Sequence, residues 1–330
     1  MTDMQNTLTI VVPCYNEEEM LPESAKVFAK ITRQLILNQK ISPKSKILFV
    51  DDGSTDQTWH IIKELEQQDA LFSGLKFSRN FGHQNALLAG MQTAVKFSDW
   101  IVTIDCDLQD DPQKIFNMVN ETLKGNQIVY GVRKARTKDS WFKRNSAELF
   151  YTLMQKMGVN LIKDHADFRL MSKKAVTSLL TYTEEDLFLR GIVPKLGYQS
   201  SIVYYDRAPR MLGESKYPLK KMLQLAFSGL TSLTDFPLKF ITGTGLVIFS
   251  IGMLSLIITA FANVSALTLL NLSLWTVGGM VLFAIGLVGI YTYKVLLESK
   301  RRPHFLVEVD DYTPMFQSHL NLKKNIVKQA

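Results

Sequence analysis

Cysteine is nearly absent from this chain: Cys14 and Cys106 are the only two in 330 residues. A disulfide framework is therefore excluded. Two thiols cannot complete a tetrahedral zinc site by themselves, so a reducing cytosolic setting is expected. Proline is sparse, at 10 residues, and 46% of the chain is hydrophobic against 21% charged, which excludes a disordered or collagen-like protein. Residues 1–206 have no excess charge of either sign, with 25 Lys/Arg against 25 Asp/Glu. The large basic surface that nucleic acid demands is missing there, and no nucleic-acid partner is expected. The net +7 comes from residues 207–239, with 6 basic against 2 acidic, and from residues 294–330, with 7 against 4. Between those two segments charge is missing altogether: Phe240 to Tyr293 contains no Asp, Glu, Lys or Arg.

That uncharged stretch breaks around Asn263-Val264-Ser265 into Phe240–Ala262, 23 residues, and Leu267–Tyr293, 27 residues. A helix needs about 20 apolar residues to cross the hydrocarbon, so two transmembrane helices are expected, at 240–262 and 267–293. Length argues against the alternative of two buried core helices in a soluble protein. Lys239, Lys294, Lys300, Arg301 and Arg302 lie at the outer ends and none lies in the hairpin loop. The positive-inside rule then places both termini in the cytoplasm and predicts a multi-pass protein of the cytoplasmic membrane, with residues 294–330 as a cytoplasmic tail. The first apolar run, Leu8–Val12, is one strand long, so no signal peptide is expected. In 216–236, Leu219, Met222, Leu223, Ala226, Phe227 and Leu230 recur at helical spacing beside Lys216, Lys220 and Lys221. This basic juxtamembrane segment, 207–239, reads as a helix lying on the bilayer surface, although the same pattern fits a helix packed on the soluble domain.

The first 200 residues alternate short β-branched runs with longer amphipathic ones. Strands are expected at Leu8–Val12, Lys46–Val50, Leu75–Phe77, Trp100–Ile104 and Gln127–Tyr130, and helices at 17–38, 56–68, 83–97 and 112–124. That rhythm predicts βαβ units and an α/β domain, 1–206, with a mostly parallel sheet. Ligands of such sheets bind beyond the carboxyl ends of the strands. Polar clusters fall in those places: 13–17 after the first strand, Asp51-Asp52-Gly53-Ser54 after the second, and Asp105-Cys106-Asp107-Leu108-Gln109 after the fourth. Asp105 and Asp107, one residue apart at a strand end, offer hard oxygens for Mg²⁺ or Mn²⁺, and Gln109 adds a neutral oxygen.

Eight segments in order, VVPCYNE (11–17), VDDGSTD (50–56), SRNFGHQNALLAG (78–90), DCDLQDDP (105–112), YGVR (130–133), DFRLMSK (167–173), FLRG (188–191) and RMLGESKY (210–217), resemble the polyprenyl-phosphate glycosyltransferases of glycosyltransferase family 2. These include dolichol-phosphate mannose synthases and bactoprenol glucosyltransferases. The resemblance implies a GT-A fold, a nucleotide-sugar donor and a divalent metal. It implies that Pro13, Tyr15 and Glu17 line the nucleotide pocket, that Asp51 and Asp52 accept from base or ribose, and that Asp105, with Cys106 beside it, meets the donor. Asp105, Asp107 and Gln109 would hold the metal, and Arg210 and Lys216 would close over the diphosphate. Arg133, with Arg144 and Lys216, would place the lipid phosphate. Asp107, Asp167 and Arg133 become the candidate catalytic residues, with Asp167 near the sugar C1. A salt bridge to Arg169 or Arg190 competes with that role, and His83 reads as a surface or supporting residue.

The implied reaction is inverting transfer of glucose, first choice UDP-glucose, to undecaprenyl phosphate. UDP-N-acetylglucosamine and UDP-galactose stand behind it as donors. A flippase and a second glycosyltransferase would follow it in cell-envelope glycan modification. Gly243, Gly245, Gly252, Gly278 and Gly279 permit close helix approach, and a homo-oligomer, up to a tetramer, is expected. Two alternatives compete. A processive polysaccharide synthase would carry more spans and a Gln-any-any-Arg-Trp segment, whereas here Arg190 precedes Gly191. A catalytically inactive membrane scaffold would not need the acidic and basic positions that this chain has.

Overall fold

Side chains alternate across a strand, and in β1 (Leu8–Cys14) that alternation divides the core in two. Leu8, Ile10, Val12 and Cys14 enter one buried layer, while Val11 enters the other. The computed structural model describes residues 6–134, 165–184, 188–208, 241, 243–245, 247–248 and 265–314. Among these the remaining elements are α1 (Leu21–Leu37), β2 (Lys46–Asp51), α2 (Thr58–Gln68), β3 (Phe72–Phe77), α3 (His83–Ala94), β4 (Trp100–Thr103), α4 (Lys114–Leu123), β5 (Ile128–Arg133), β6 (His165–Ser172), α5 (Lys173–Leu179), α6 (Leu189–Lys195), β7 (Ser200–Tyr205), α7 (Ala266–Lys300) and β8 (Val307–Asp310).

The strands form one sheet in the order β7-β5-β6-β4-β1-β2-β3-β8. β4, β1, β2 and β3 run parallel, as the βαβ rhythm predicts. β6 lies antiparallel between β4 and β5, and β8 antiparallel on the far edge beside β3. Helices α1, α2 and α4 cover one face through residues such as Phe28, Ile62 and Met118. Helices α3, α5 and α6 cover the other through Leu87, Val176 and Ile192. A sheet buried on both faces explains why its strands read as near-continuous apolar runs. Gly90 of α3 is required by this packing, because a Cβ there would stand 2.2 Å from Val11 Cγ1.

Each strand and helix expected between residues 8 and 130 is present, with ends shifted by up to four residues. β6, β7 and β8 were not expected from sequence. β8 lies in the segment read as a cytoplasmic tail, yet it completes the sheet. Behind it Tyr312 is fully buried, its hydroxyl 2.7 Å from Thr9 Oγ1 and 3.1 Å from Ser98 Oγ. Tyr312→Phe is expected to cost only about 1 kcal/mol, because Thr9 and Ser98 still bond each other at 2.6 Å. A thermal melt of the purified protein checks this, and a loss several times larger would mean that the hydroxyl anchors the whole edge.

Of the expected hairpin, only the second helix falls largely within the described residues. Among the described residues one helix, Val277–Lys300 within α7, is long and apolar enough to cross a membrane, with mean hydropathy 2.0. The first expected span lies almost wholly outside the described residues, so of the two expected spans only the second is represented by a described helix. α7 begins where the second span was expected and runs seven residues past Tyr293. Its extension, Lys294 to Lys300, consists largely of good helix formers. It stops where Arg301 turns left-handed (φ 46°), with Pro303 close behind. Arg144, Arg210, Lys216 and the surface helix 216–236 also lie outside the described residues.

Candidate active site

Strand direction collects the acidic loops. β1, β2 and β4 are parallel and deliver Pro13–Glu17, Asp51–Ser54 and Asp105–Gln109 to the same sheet edge. β6 enters that edge from the opposite direction. Its register pairs Thr103 with Arg169, and two residues further on this alignment sets Asp167 across from Asp105. The neighbouring loops after β2 and β3 are pressed together at Gly53 (φ 67°), where a Cβ would stand 2.3 Å from the Arg79 carbonyl carbon. Gly therefore fits that turn where other residues would clash and strain.

Asp167 is the centre of a buried charge cluster. Its Oδ1 accepts from Arg169 Nη2 at 2.6 Å and its Oδ2 from Arg190 Nη2 at 2.8 Å. His83 Nε2 stands 3.6 Å from the same Oδ2 and 3.4 Å from Asp105 Oδ1. Burial would raise the Asp167 pKa, but Arg190, His83 and Arg169 outweigh it and hold the carboxyl well below its ordinary range. A carboxylate held this way is a weak base, so the structure argues against proton abstraction by Asp167. The competing salt bridge is made, and to both arginines at once. His83, read from sequence as a surface or supporting residue, is part of this cluster. Burial works against its charge, yet Asp105 and Asp167 prevail and raise its pKa to about 9. It is an imidazolium at neutral pH.

Asp105 is raised to about 6, mainly by burial, with His83 opposing and Asp110, Asp167 and Asp107 adding repulsion. Its Oδ1 accepts no hydrogen bond. Asp107 Oδ1 accepts from Gln109 N at 3.1 Å, and the Gln109 side chain accepts from Arg207. Among the described residues no three His, Cys, Asp or Glu side chains converge as a ready-made cation cage. The donor set still fits Mg²⁺ or Mn²⁺, because such ions are commonly held by one or two carboxylates plus substrate phosphates. The buried Asp105 Oδ1, which accepts no hydrogen bond although His83 Nε2 faces it at 3.4 Å, is the structural feature that supports this fit.

Three residues with roles implied by the resemblance have protein partners in the structure. Asp52 caps the loop before α3, accepting from Phe81 N at 2.6 Å and Gly82 N at 2.9 Å, and burial raises its pKa to about 6. The carboxylate oxygen without a hydrogen bond in that loop belongs to Asp51, its Oδ2. Cys106 is buried in the core with its thiol 3.2 Å from Ser24 Oγ. Arg133 is held by Asp110 at 2.9 Å and by the Tyr205 hydroxyl at 3.3 Å, not poised as a free phosphate ligand. Burial works against its charge, but Asp110 prevails and raises its pKa. Pro13 is buried at the end of β1, whereas Tyr15 is 38% exposed and Glu17 half-buried on the loop beyond.

Asp110, Tyr205 and Arg207 were missed as site residues. The run of acids from Asp105 to Asp111 was the available signal for Asp110. Arg207 was visible only as the start of the basic segment.

A mostly parallel α/β sheet with carboxylates gathered beyond its strand ends defines a Rossmann-like protein. The model described as Glycosyl transferase family 2 matches residues 9–180. A protein of Bacillus subtilis (strain 168) named uncharacterized glycosyltransferase YkoT is 44% identical over 317 residues, 94% of each chain. The bactoprenol glucosyl transferase of Shigella phage SfV is 37% identical over 309 residues, 91% of this chain and 98% of that one. The chain thus belongs to glycosyl transferase family 2 and is a glycosyltransferase. Among solved structures, glucosyl-3-phosphoglycerate synthase from Mycobacterium tuberculosis in complex with Mn²⁺, UDP-glucose and phosphoglyceric acid is similar at TM-score 0.41 and 18% identity, over 67% of this chain and 76% of that one.

Proposed function

We propose that the protein transfers glucose from UDP-glucose to undecaprenyl phosphate at the cytoplasmic face of the membrane, using Mg²⁺ or Mn²⁺. The observation that carries the reading is the meeting of Asp105, Asp107, Asp167 and His83 at one sheet edge, in a chain similar over 91% of its length to a bactoprenol glucosyl transferase. The apolar helix Val277–Lys300 fits a lipid acceptor. A polyprenyl phosphate is a phosphate monoester, mostly dianionic near neutral pH, so its oxygen is already a nucleophile. The site needs to position it more than to deprotonate it, which agrees with an Asp167 too acidic to serve as a base.

Asp105 and Asp107 would hold the cation, which as Lewis acid would neutralise the departing nucleoside diphosphate. Asp51 Oδ2 is the acceptor for a donor N–H or O–H at the β2 loop. Asp167 orients a sugar hydroxyl and steadies positive charge near C1. Arg210 and Lys216 would close over the diphosphate, and Arg144 with Lys216 would meet the lipid phosphate. Attack on the face opposite the leaving group would convert an α-linked donor into a β-linked lipid phosphate. Both termini are assigned to the cytoplasm, on the charge distribution.

The full chain in nanodiscs with undecaprenyl phosphate, supplied with UDP-sugars in turn, tests this by mass spectrometry of the lipid fraction. UDP-glucose is expected to lead the other donors by about tenfold or more, since each selective pocket contact is worth about 1–3 kcal/mol. Absence of a lipid-linked hexose with every donor would sink the proposal.

A further inference from the structure

The chain leaves its apolar helix and re-enters the catalytic sheet within a few residues. α7 ends at Lys300 and β8 begins at Val307, so Arg301–Leu306 is the whole connection. Six residues span at most about 20 Å when fully extended. β8 is antiparallel to β3, with Val307 opposite Phe77 and Asp310 opposite Leu75. Its first residue therefore lies at the carboxyl end of β3, the edge where the site is built. The Phe305 ring stacks on Phe77 at 5.2 Å and 9°, and Ser78 N donates to Leu306 O at 3.1 Å.

This segment is fastened along its length. Lys76 pairs with Glu308 at 2.9 Å, Lys63 with Asp311 at 2.8 Å, and Tyr312 is buried under the sheet. On its other side the loop after β3 meets the donor loops. Arg79 and Asn80 abut Gly53, and the N–H groups of Phe81 and Gly82 hold Asp52. The residues that follow β3 thus link the strap to the acidic loops directly.

We propose that residues 301–314 are a positioning strap, which holds the carboxyl edge of the sheet at a fixed short distance from the membrane surface so that it meets an acceptor phosphate in the headgroup layer. The inference rests on the lipid-acceptor reading above. A polyprenyl chain buries many methylenes, each worth about 0.8 kcal/mol, so its phosphate cannot leave the interface and the domain must come to it. A tether of matched length raises the effective concentration of the two reacting groups, and a slack one lowers it. Lys300, Arg301 and Arg302 are exposed at the junction, where anionic headgroups would attract them.

The test inserts a Gly/Ser spacer of about twelve residues between Arg302 and Pro303 of the full chain, leaving β8 and Tyr312 in place. Transfer to undecaprenyl phosphate in nanodiscs is expected to fall about tenfold, while transfer to a short water-soluble prenyl phosphate stays within about twofold. A fluorophore at Ser78→Cys, an exposed position, is expected to lose quenching by headgroup spin-labelled lipid in the spacer variant. Unchanged transfer in nanodiscs with unchanged quenching would overturn the strap. Equal loss with both acceptors would also overturn it, because the segment would then support the site and not place it. If the parent used no prenyl phosphate while the spacer still abolished quenching, the strap would stand and the acceptor reading would fall.

Discussion

Asp107→Ala is expected to lower transfer by about 10³-fold while leaving the thermal midpoint nearly unchanged. The rate effect follows from losing a ligand to the cation that neutralises the leaving diphosphate, a contribution of several kcal/mol, and about 4 kcal/mol corresponds to that factor. The small stability effect follows from position. Asp107 is half-buried on the loop beyond β4, and the bond its Oδ1 accepts from Gln109 N is local. Asp111→Ala is the control: that carboxylate lies four residues further on, accepts from Gln113 N and pairs with Lys114 at 3.7 Å. It should retain most activity. The measurement is initial rate against Mn²⁺ concentration for parent and both variants. An Asp107→Ala protein that kept most of its rate at limiting Mn²⁺ would remove Asp107 from the metal assignment.

What the sequence reveals of this fold depends on where each contact is made. β1 to β5 and the helices between them are legible because each buries an apolar pattern against neighbours close in sequence. Their polar loops at one edge are legible too, once parallel strand direction is inferred. β6 and β8 are not, because antiparallel insertion is set by pairing across long separations, as when Trp100 meets Ser172 or Leu75 meets Asp310. The four-residue β8, VEVD, has too little pattern to announce a strand. The same distance hides the site's charge network. His83 opens α3 and has no local feature that marks it as a partner of Asp167, 84 positions away. Arg133 is legible from its motif, but its tie to Asp110 and Tyr205 exists only in the folded sheet. Asp52 is similar, since its motif cannot show that Phe81 and Gly82 would turn their N–H groups toward it.

Asp167→Asn is expected to be the most destabilising of the variants considered, at about 3–5 kcal/mol, the usual cost of removing one partner from a buried ion pair. The substitution keeps the side-chain shape but removes the negative charge that, among the described residues, His83, Arg169 and Arg190 share. Arg169 is 2% exposed, and its other hydrogen bonds, to the carbonyls of Asp167 and Leu189, are long at 3.4 and 3.5 Å. An uncompensated guanidinium would remain in the core. For a domain of this size the midpoint should fall by roughly 10 °C. The pH dependence follows from the directions of the shifts. The Asp167 pKa is depressed in the folded protein, so its contribution is full above the unfolded value near 4 and is lost only as pH falls through the lower folded value. The His83 pKa is raised to about 9, so its contribution is full below the unfolded value near 6.5 and is lost as pH rises through about 9. The gap between parent and variant should therefore be widest between about pH 4 and 6.5, and should narrow on both sides of that window. Thermal melts of both proteins from pH 3 to 10 measure it. A variant that melted with the parent across this range, yet transferred no sugar, would make Asp167 a reacting group and not the charge that holds the cluster together.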